Sequence, residues 1–262
     1  MINNQTVPGI LPRQLLPDNI CSIRRYILSG ESRKKRIAFI LTALCLLLAA
    51  LCLSPSSLLP VISGNLHSEK EDGYLVIIDA GHGGADSGKV GALGSLEKDI
   101  NLSLTLQLKS LLEQQDVEVL LTRDSDTELA GTDKGWKLAD MKERIALINE
   151  SQPDLVVSIH QNSYTTPDIR GAQCFYYTNS DSSKELASFL QQQIITTTQQ
   201  TKVREIKANS DYYLLKKSQP PTVIVECGFL SNPEEEQLLL QPDYQRKMVW
   251  AIHLGILQFL NQ

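Results

Sequence analysis

Histidine and cysteine are scarce in this chain of 262 residues, which contains four histidines and five cysteines. The cysteines form no C-x-x-C pair, so the sequence contains neither a cysteine-based zinc knuckle nor a disulfide framework. Cys45 and Cys52 lie in an apolar run, where cysteine acts mostly as a small hydrophobic residue. Cys174 and Cys227 can pair only if the fold brings their Cα atoms close together, and the sequence leaves that open.

The chain also lacks a basic surface. Its formal net charge is -5, and this balance argues against nucleic acid as a partner. Positive charge is concentrated at the N-terminus, where residues 1–36 contain seven lysines and arginines against Asp18 and Glu31. This segment therefore carries a net +5 and the remainder a net -10.

No charged residue occurs between Ile37 and Ile62. A helix over the first part of this run, 37–53, rises about 26 Å, which is enough for a short bilayer span. Four basic residues, 33–36, precede it directly, and the positive-inside rule then keeps the N-terminus in the cytoplasm. A cleaved signal peptide is disfavoured because the preceding segment is long and no A-x-A site follows.

We therefore predict a membrane-anchored protein with an extracytoplasmic domain. The predicted parts are a basic cytoplasmic segment (1–36), a transmembrane helix (37–53), a stalk (54–73) and a catalytic domain (74–262).

The domain alternates short apolar, β-branched runs with longer helical patterns. The short runs are apolar on both faces, as in strands of a covered parallel sheet. This alternation predicts an α/β domain with three layers, in which helices cover both faces of a mostly parallel sheet. The candidate strands are Leu75–Asp79, Val117–Thr122, Leu155–Ile159, Ala172–Tyr177 and Thr222–Val225.

Two segments predict helices from their own chemistry. The segment 99–112 fits both helix and strand periodicity, but its length and a capping Asp99 favour a helix. The sequence SNPEEE, 231–236, predicts a helix start. Asn232 can cap it, Pro233 suits the first helical position, and three glutamates face the positive end of the helix dipole.

The stretch LVIIDAGHGGADSGKV, 75–90, follows the first strand with a glycine-rich loop. From Gly83 it nearly matches a phosphate-binding P-loop, but Val90 occupies the position where Ser or Thr is needed. No helix follows at once, and Asp86 has the wrong charge for a phosphate neighbour. Nucleotide binding is therefore disfavoured, and Lys89 is interpreted as a solvated loop residue.

The alternative is a metal site. His82 and His160 each follow a predicted strand, and the carboxyl ends of parallel strands share one edge of the sheet. A catalytic zinc needs about three protein ligands and one open position. Glu97, which opens the helix after the loop, is the third candidate ligand, and Asp79 and Asp86 are its rivals.

The other two histidines are not expected at this site. His67 lies in the predicted stalk, and His253 lies within a predicted helix as a surface or packing residue.

Glu226 ends an apolar strand, and a buried charge there needs a partner. Beside a zinc ion, a carboxylate can take a proton from water and deliver it to a leaving amine. The alternative is an edge-strand glutamate that faces solvent. Asn162 and Arg123 are candidates for substrate contact, each with an equally good structural role.

Four ordered motifs, IIDAGHGGADSG, LEKDI, VSIHQNS and VECGFLSNPEE, resemble those of the zinc-dependent N-acetylmuramoyl-L-alanine amidases. These enzymes cut the bond between the lactyl group of muramic acid and the first alanine of the peptidoglycan stem peptide. The resemblance implies one Zn²⁺ held by His82, Glu97 and His160, with Glu226 as the catalytic residue. It also implies a single α/β domain with a central mixed sheet.

The segments LAGTDKGWKLADMKERIALIN and GAQCFYY further resemble the membrane-anchored amidases of spore formers that prepare cortex peptidoglycan for muramic-lactam formation. This resemblance implies that peptidoglycan is the substrate and that the N-terminal helix contacts the membrane. Whether an activator protein is needed is left open. The longer cytoplasmic N-terminus departs from this subgroup. Two alternatives remain: another zinc peptidase with a cleft lined by 124–137, and a catalytically silent wall-binding or regulatory module.

Overall fold

The computed structural model of the chain describes residues 30–53, 73–131 and 135–262. Most of the predicted cytoplasmic segment and the stalk with His67 lie outside these residues. The chain divides into two units, one with helix α1, Gly30–Leu53, and the other with every described residue from Gly73 onward. In the described part of the chain, no helix combines the length and the apolar character needed to cross a membrane.

The second unit alternates strands and helices, as predicted. In chain order its elements are β1 Tyr74–Ala80, α2 Glu97–Glu113, β2 Val117–Leu121, α3 Trp136–Ser151, β3 Leu155–Asn162, β4 Gln173–Tyr177, α4 Asp181–Thr198, β5 Lys207–Asn209, α5 Tyr213–Lys217, β6 Thr222–Phe229, α6 Pro233–Leu240 and α7 Pro242–Leu260. Each of the predicted strands is present. The short strand β5 was not predicted.

The strands form one sheet in the order β2-β1-β3-β6-β4-β5. Every neighbouring pair is parallel except β4 and β6, so the sheet is mixed and mostly parallel, as the family resemblance implied. Strands β3 and β6 lie in its middle. Glu226 pairs with His160 across them, which makes the edge-strand interpretation of Glu226 wrong.

Helices cover both faces of the sheet. Alternate residues of β1 point to opposite sides, so that Val76 and Ile78 join the larger core while Ile77 joins the smaller one. The larger core is completed by α2, α4 and α7, and the smaller by α3 and α5. Burial of each such side chain stabilises the fold by about 1.5–3 kcal/mol, which fixes the register of the sheet.

Helix α2 confirms the helical interpretation of its segment, because Ile100, Leu104 and Leu108 form a buried stripe. Its predicted cap is wrong, however. Leu96 is the N-cap residue, without a side-chain hydrogen bond, and Asp99 lies in the first turn. The helix begins two residues earlier than predicted, at Glu97, and the loop carbonyl of Lys89 accepts a 3.0 Å hydrogen bond from the free N–H of Glu97.

Both cysteines of the domain are free and fully buried. Cys174 lies in β4 and Cys227 in the neighbouring strand β6. Burial raises the pKa of both thiols well above the ordinary value. They therefore pack as small apolar groups in the larger core.

Candidate metal centre

The three predicted ligand residues converge at the carboxyl edge of the sheet. His82 follows β1, Glu97 is the first residue of α2, and His160 lies within β3 rather than after it. Glu97 lies between the two imidazoles, with Oε2 3.2 Å from His82 Nε2 and Oε1 3.0 Å from His160 Nδ1. One ligand atom from each residue lies within 4.8 Å of the other two, so the cluster could hold a metal ion.

The charges of this cluster also suit a cation. Burial by itself would raise the pKa of Glu97, but hydrogen bonds and charge interactions with the two histidines hold it far below the ordinary value. Glu97 is therefore ionised at any physiological pH. Two imidazole nitrogens and one carboxylate make up a common ligand set of catalytic zinc sites.

His82 is held in an uncommon backbone conformation. Its φ of 63° lies in the left-handed region, which few residues with a Cβ adopt and which is concentrated at functional sites. Asp86 Oδ2 lies 2.8 Å from its Nδ1, and such a partner fixes the tautomer and leaves Nε2 for a metal. Asp86 also pairs with Lys137 over 2.8 Å. This rival ligand therefore orients His82 instead.

Gly81 makes room for His160. A Cβ at position 81 would lie 2.3 Å from the His160 ring, closer than van der Waals contact permits. The backbone of the glycine-rich loop and the second histidine thus occupy adjoining space. The glycine at position 81 is therefore explained by the space that the His160 imidazole needs. Phosphate binding is not required to account for this glycine.

A buried arginine, Arg144, ties the first strand to this loop. It donates to Asp79 Oδ1 over 2.6 Å, to Asp140 Oδ2 over 2.7 Å and to the carbonyl of His82 over 2.8 Å. Burial would raise the pKa of Asp79, but Arg144 and hydrogen bonds from Ser158 and Thr122 lower it to about 2. Asp79, the other rival ligand, is therefore engaged by Arg144 and not by the cluster.

Arg144 was missed in the sequence, although a signal for it exists. It lies between Met141, Ile145 and Ile148 on the stripe that faces the smaller core. A charged residue on an apolar stripe indicates a buried ionic partner.

Glu226 lies beside the ligand cluster with an unusual carboxylate. Its side chain is 8% exposed, and its Oε2 is buried without a hydrogen-bond partner among the described residues. Burial raises its pKa to about 7, against the opposing effect of His160. An orphaned acceptor at this point is expected where a bound water or ion normally completes the site. The residues present therefore fit a metal with a reactive water.

The cluster opens into a cleft of about 580 Å³. Trp136 and Lys137, from the predicted cleft-lining segment 124–137, form part of its wall, while 132–134 lie outside the described residues. Tyr212 and Tyr213 form another part and were not predicted. The sequence contains little indication that these tyrosines line a cleft, because tyrosines before a short helix are as often packing residues as site residues.

The remaining candidates separate into cleft and scaffold residues. Arg123 is buried and donates to the backbone carbonyls of residues 80, 81, 98 and 125, which is a structural role. Asn162 lines the cleft, and Lys89 is exposed at its margin, as predicted. His253 is buried in α7 against Trp250 and is a packing residue.

Comparisons with known proteins agree with this geometry. A family model described as N-acetylmuramoyl-L-alanine amidase matches residues 76–258, a stretch that contains all four candidate site residues. The germination-specific N-acetylmuramoyl-L-alanine amidase of Bacillus subtilis (strain 168) is 37% identical over 195 residues, which cover 72% of this chain and 81% of that protein.

Solved structures of amidases also match this chain. The CwlD amidase from Clostridioides difficile, in complex with the GerS lipoprotein, matches with a TM-score of 0.69 at 39% identity, covering 71% of this chain and 98% of that one. An N-acetylmuramoyl-L-alanine amidase from Clostridium difficile 630 matches with a TM-score of 0.66 at 34% identity, covering 72% and 98%.

Proposed function

The chain belongs to the N-acetylmuramoyl-L-alanine amidase family, and from this premise we propose that it is a zinc hydrolase acting on peptidoglycan. The bond cleaved joins the lactyl group of N-acetylmuramic acid to the first L-alanine of the stem peptide. The observation that supports this most directly is the placement of an orphaned, buried Glu226 carboxylate beside a cluster of two histidines and one glutamate.

His82, Glu97 and His160 are the proposed ligands of one Zn²⁺. Their histidine, glutamate and histidine donors match the set that leaves a coordination position open in catalytic zinc sites. When bound, zinc supplies Lewis-acid chemistry, in which it lowers the pKa of a water molecule to about 7 and polarises a carbonyl oxygen. Asp86 holds the His82 imidazole by a hydrogen bond, and Gly81 leaves the space that the His160 imidazole occupies.

Glu226 is the proposed general base and acid. It accepts a proton from the attacking water and later delivers that proton to the departing alanine nitrogen, so that the amide is cleaved without a free amide anion. A carboxyl whose pKa lies near the working pH is suited to both steps. Burial gives Glu226 such a pKa, about 7.

The cleft suits a substrate that is part glycan and part peptide. Trp136 and Tyr212 line it with aromatic side chains, and the exposed Lys89 offers positive charge to the carboxylates of a stem peptide. Such walls are typical of sites that combine apolar contact with a few polar anchors. The silent-module alternative is disfavoured because the chain keeps all three ligands and Glu226.

We further propose a role in the spore cortex, where cleavage by this enzyme precedes muramic-lactam formation. The support is the 37% identity to a germination-specific amidase of Bacillus subtilis. The relative from Clostridioides difficile is in complex with a lipoprotein. An accessory protein that binds this domain is therefore part of the proposal.

Attachment to the membrane through residues 37–53 is also proposed, with the N-terminus in the cytoplasm. The support is in the sequence, where an uncharged run follows four consecutive basic residues. Fractionation of cells that express the full chain tests this. Recovery of the protein in the soluble fraction, without cleavage, would argue against an anchor.

One experiment tests the enzymatic proposal. Purified protein is assayed for bound zinc and then incubated with cortex peptidoglycan, and the released fragments are identified by mass spectrometry. We expect one zinc ion per chain and intact stem peptides freed from muramic acid. Cuts within the stem would favour a zinc peptidase, and bound zinc without hydrolysis would favour a silent module. Unchanged activity after chelation would contradict the metal site.

A further inference from the structure

Helix α6 begins with two adjacent buried glutamates that have different partners. Both lie in the first turn, near the positive end of the helix dipole, as predicted, and their carboxylates also accept hydrogen bonds from backbone outside the helix. Glu235 accepts hydrogen bonds of 2.8 Å from the N–H groups of Gly171 and Phe229. Glu236 accepts from Leu93 N over 2.6 Å and from Ser95 N over 3.0 Å. Each glutamate thus fastens a separate segment to α6.

The segment held by Glu236 leads directly to the ligand residue Glu97. Residues 88–97 form a narrow hairpin in which Val90 bridges to Leu96. At its base, Lys89 N donates to Glu97 Oε2 over 2.8 Å, and Glu97 N donates to Lys89 O over 3.0 Å. The position of the Glu97 carboxylate therefore depends on the shape of this hairpin.

The tip of the hairpin is fixed to α6 and to the loop after β6. Ser95 Oγ adds a third hydrogen bond to Glu236, and Ala92 N donates to the carbonyl of Leu230 over 2.9 Å. The backbone of Gly91 also approaches Glu236 closely, since a Cβ at Gly91 would lie 2.0 Å from Glu236 Oε1. The hairpin backbone at Gly91 therefore lies directly against the Glu236 carboxylate.

Glu236 is fully buried, and within the described part of the chain the donors to its carboxylate all belong to this hairpin. A buried carboxylate is costly unless hydrogen bonds compensate it, and bonds to a charged acceptor are stronger than neutral ones. These hydrogen bonds therefore hold the hairpin against α6.

We propose that Glu236 is a positioning residue for the metal centre, which holds hairpin 88–97 so that both oxygens of Glu97 face the two histidines. The inference rests on the proposed function, because zinc is the group that Glu97 would bind. It assigns to Glu236, one of the three glutamates of the EEE run, a role in metal affinity in addition to its favourable place in the first turn of the helix.

The test is the zinc affinity of Glu236→Gln, measured by competition with a chelator of known affinity. Glutamine places an NH₂ group against at least one hairpin N–H, so one hydrogen bond becomes a repulsive contact. We expect zinc to bind roughly 10–100-fold more weakly, as for other residues that orient metal ligands. Ser95→Ala removes one of the three bonds and should weaken zinc binding in the same direction by a smaller factor.

Glu235→Gln is the matched control, with the same substitution on the neighbouring residue of the same helix. It should lower the thermal midpoint of the protein while its zinc affinity stays at the wild-type value. If Glu236→Gln does not fold, Ser95→Ala supplies the measurement, since every backbone hydrogen bond remains available in it.

The outcomes separate the two proposals. A wild-type protein that binds no zinc overturns the proposed function and this inference together. If the wild type binds zinc and Glu236→Gln binds it with the same affinity, the inference alone is overturned. The same conclusion follows from Ser95→Ala if only that variant folds. An equal loss of affinity in Glu235→Gln also overturns it, because the effect would then be a general consequence of loosening α6.

Discussion

Arg144 donates a hydrogen bond of 2.8 Å to the backbone carbonyl of His82, and so connects a buried cation to the loop of a proposed zinc ligand. His82 has a positive φ, a conformation that costs of order 1–3 kcal/mol in a residue with a Cβ. The same guanidinium is anchored by Asp79 and Asp140. The strained loop is thus held from the sheet and from helix α3 at once.

Replacement of Arg144 by methionine should be strongly destabilising. It leaves Asp79 buried without its cation, and the loss of one partner of a buried pair costs roughly 3–5 kcal/mol. Urea denaturation measures this change in the free energy of unfolding. Lys142→Met, at an exposed position of the same helix, should change stability by less than about 0.5 kcal/mol. Equal effects of the two substitutions would contradict a special role for Arg144.

Gly81→Ala should weaken zinc binding, because the new Cβ would lie 2.3 Å from the His160 ring and displace it. Since proposed ligand geometry is altered directly, we expect a loss of affinity of at least about tenfold. Chelator competition measures it. Gly131→Ala is the control, as no atom of the described residues lies within 4 Å of a Cβ at that position. Wild-type affinity in Gly81→Ala would show that the His160 ring can move without harm.

Glu226→Gln should abolish most of the turnover and leave the metal in place. The amide keeps the shape of the carboxylate but cannot accept the proton, and general acid–base catalysis contributes about 10²–10⁴-fold. The hydrolysis rate and the zinc content are measured on the same sample. Glu185→Gln, at an exposed site on α4, serves as the control. Full activity in Glu226→Gln would exclude it as the base.

The Asp79 carboxylate should make stability depend on acid pH. A carboxyl whose folded pKa lies below its unfolded value stabilises the fold above the unfolded value, and this stabilisation is lost as pH falls through the folded value. For Asp79 these values are 3.8 unfolded and about 2 folded. The shift corresponds to about 2 kcal/mol.

The measurement is urea unfolding of the wild type and Asp79→Asn between pH 7 and pH 2. The difference in unfolding free energy should be constant above about pH 4 and shrink toward pH 2. A difference that does not change over this range would mean that the charge of Asp79 adds nothing to the fold.

The convergence of His82, Glu97 and His160 was predictable from their positions in the chain, and their role as zinc ligands stays a prediction. His82 and His160 were expected at strand ends on one edge of the sheet, and Glu97 at the start of the next helix. Parallel strands bring their carboxyl ends together whatever the intervening sequence. The strands themselves were visible because a sheet covered on both faces requires continuous apolar runs.

Residues that hold the ligands were not predictable in the same way. Glu236 contacts Ser95 across 141 positions of the chain, and Arg144 contacts Asp79 across 65. Periodicity tells which side of a helix is buried but not which distant donor a buried charge meets. Strand β5 escaped prediction for another reason, since its Lys207 and Ala208 are exposed and follow no apolar pattern.

The buried thiol of Cys227 allows the opening of the core around strand β6 to be measured directly. A thiol that is inaccessible and protonated does not react with alkylating reagents, which attack the thiolate. Its labelling therefore requires that the larger core over β6 open, and the labelling rate reports how often this happens. The protein thus contains a natural reporter of the opening of its larger core, one residue along the strand from the proposed base and on the opposite face of the sheet.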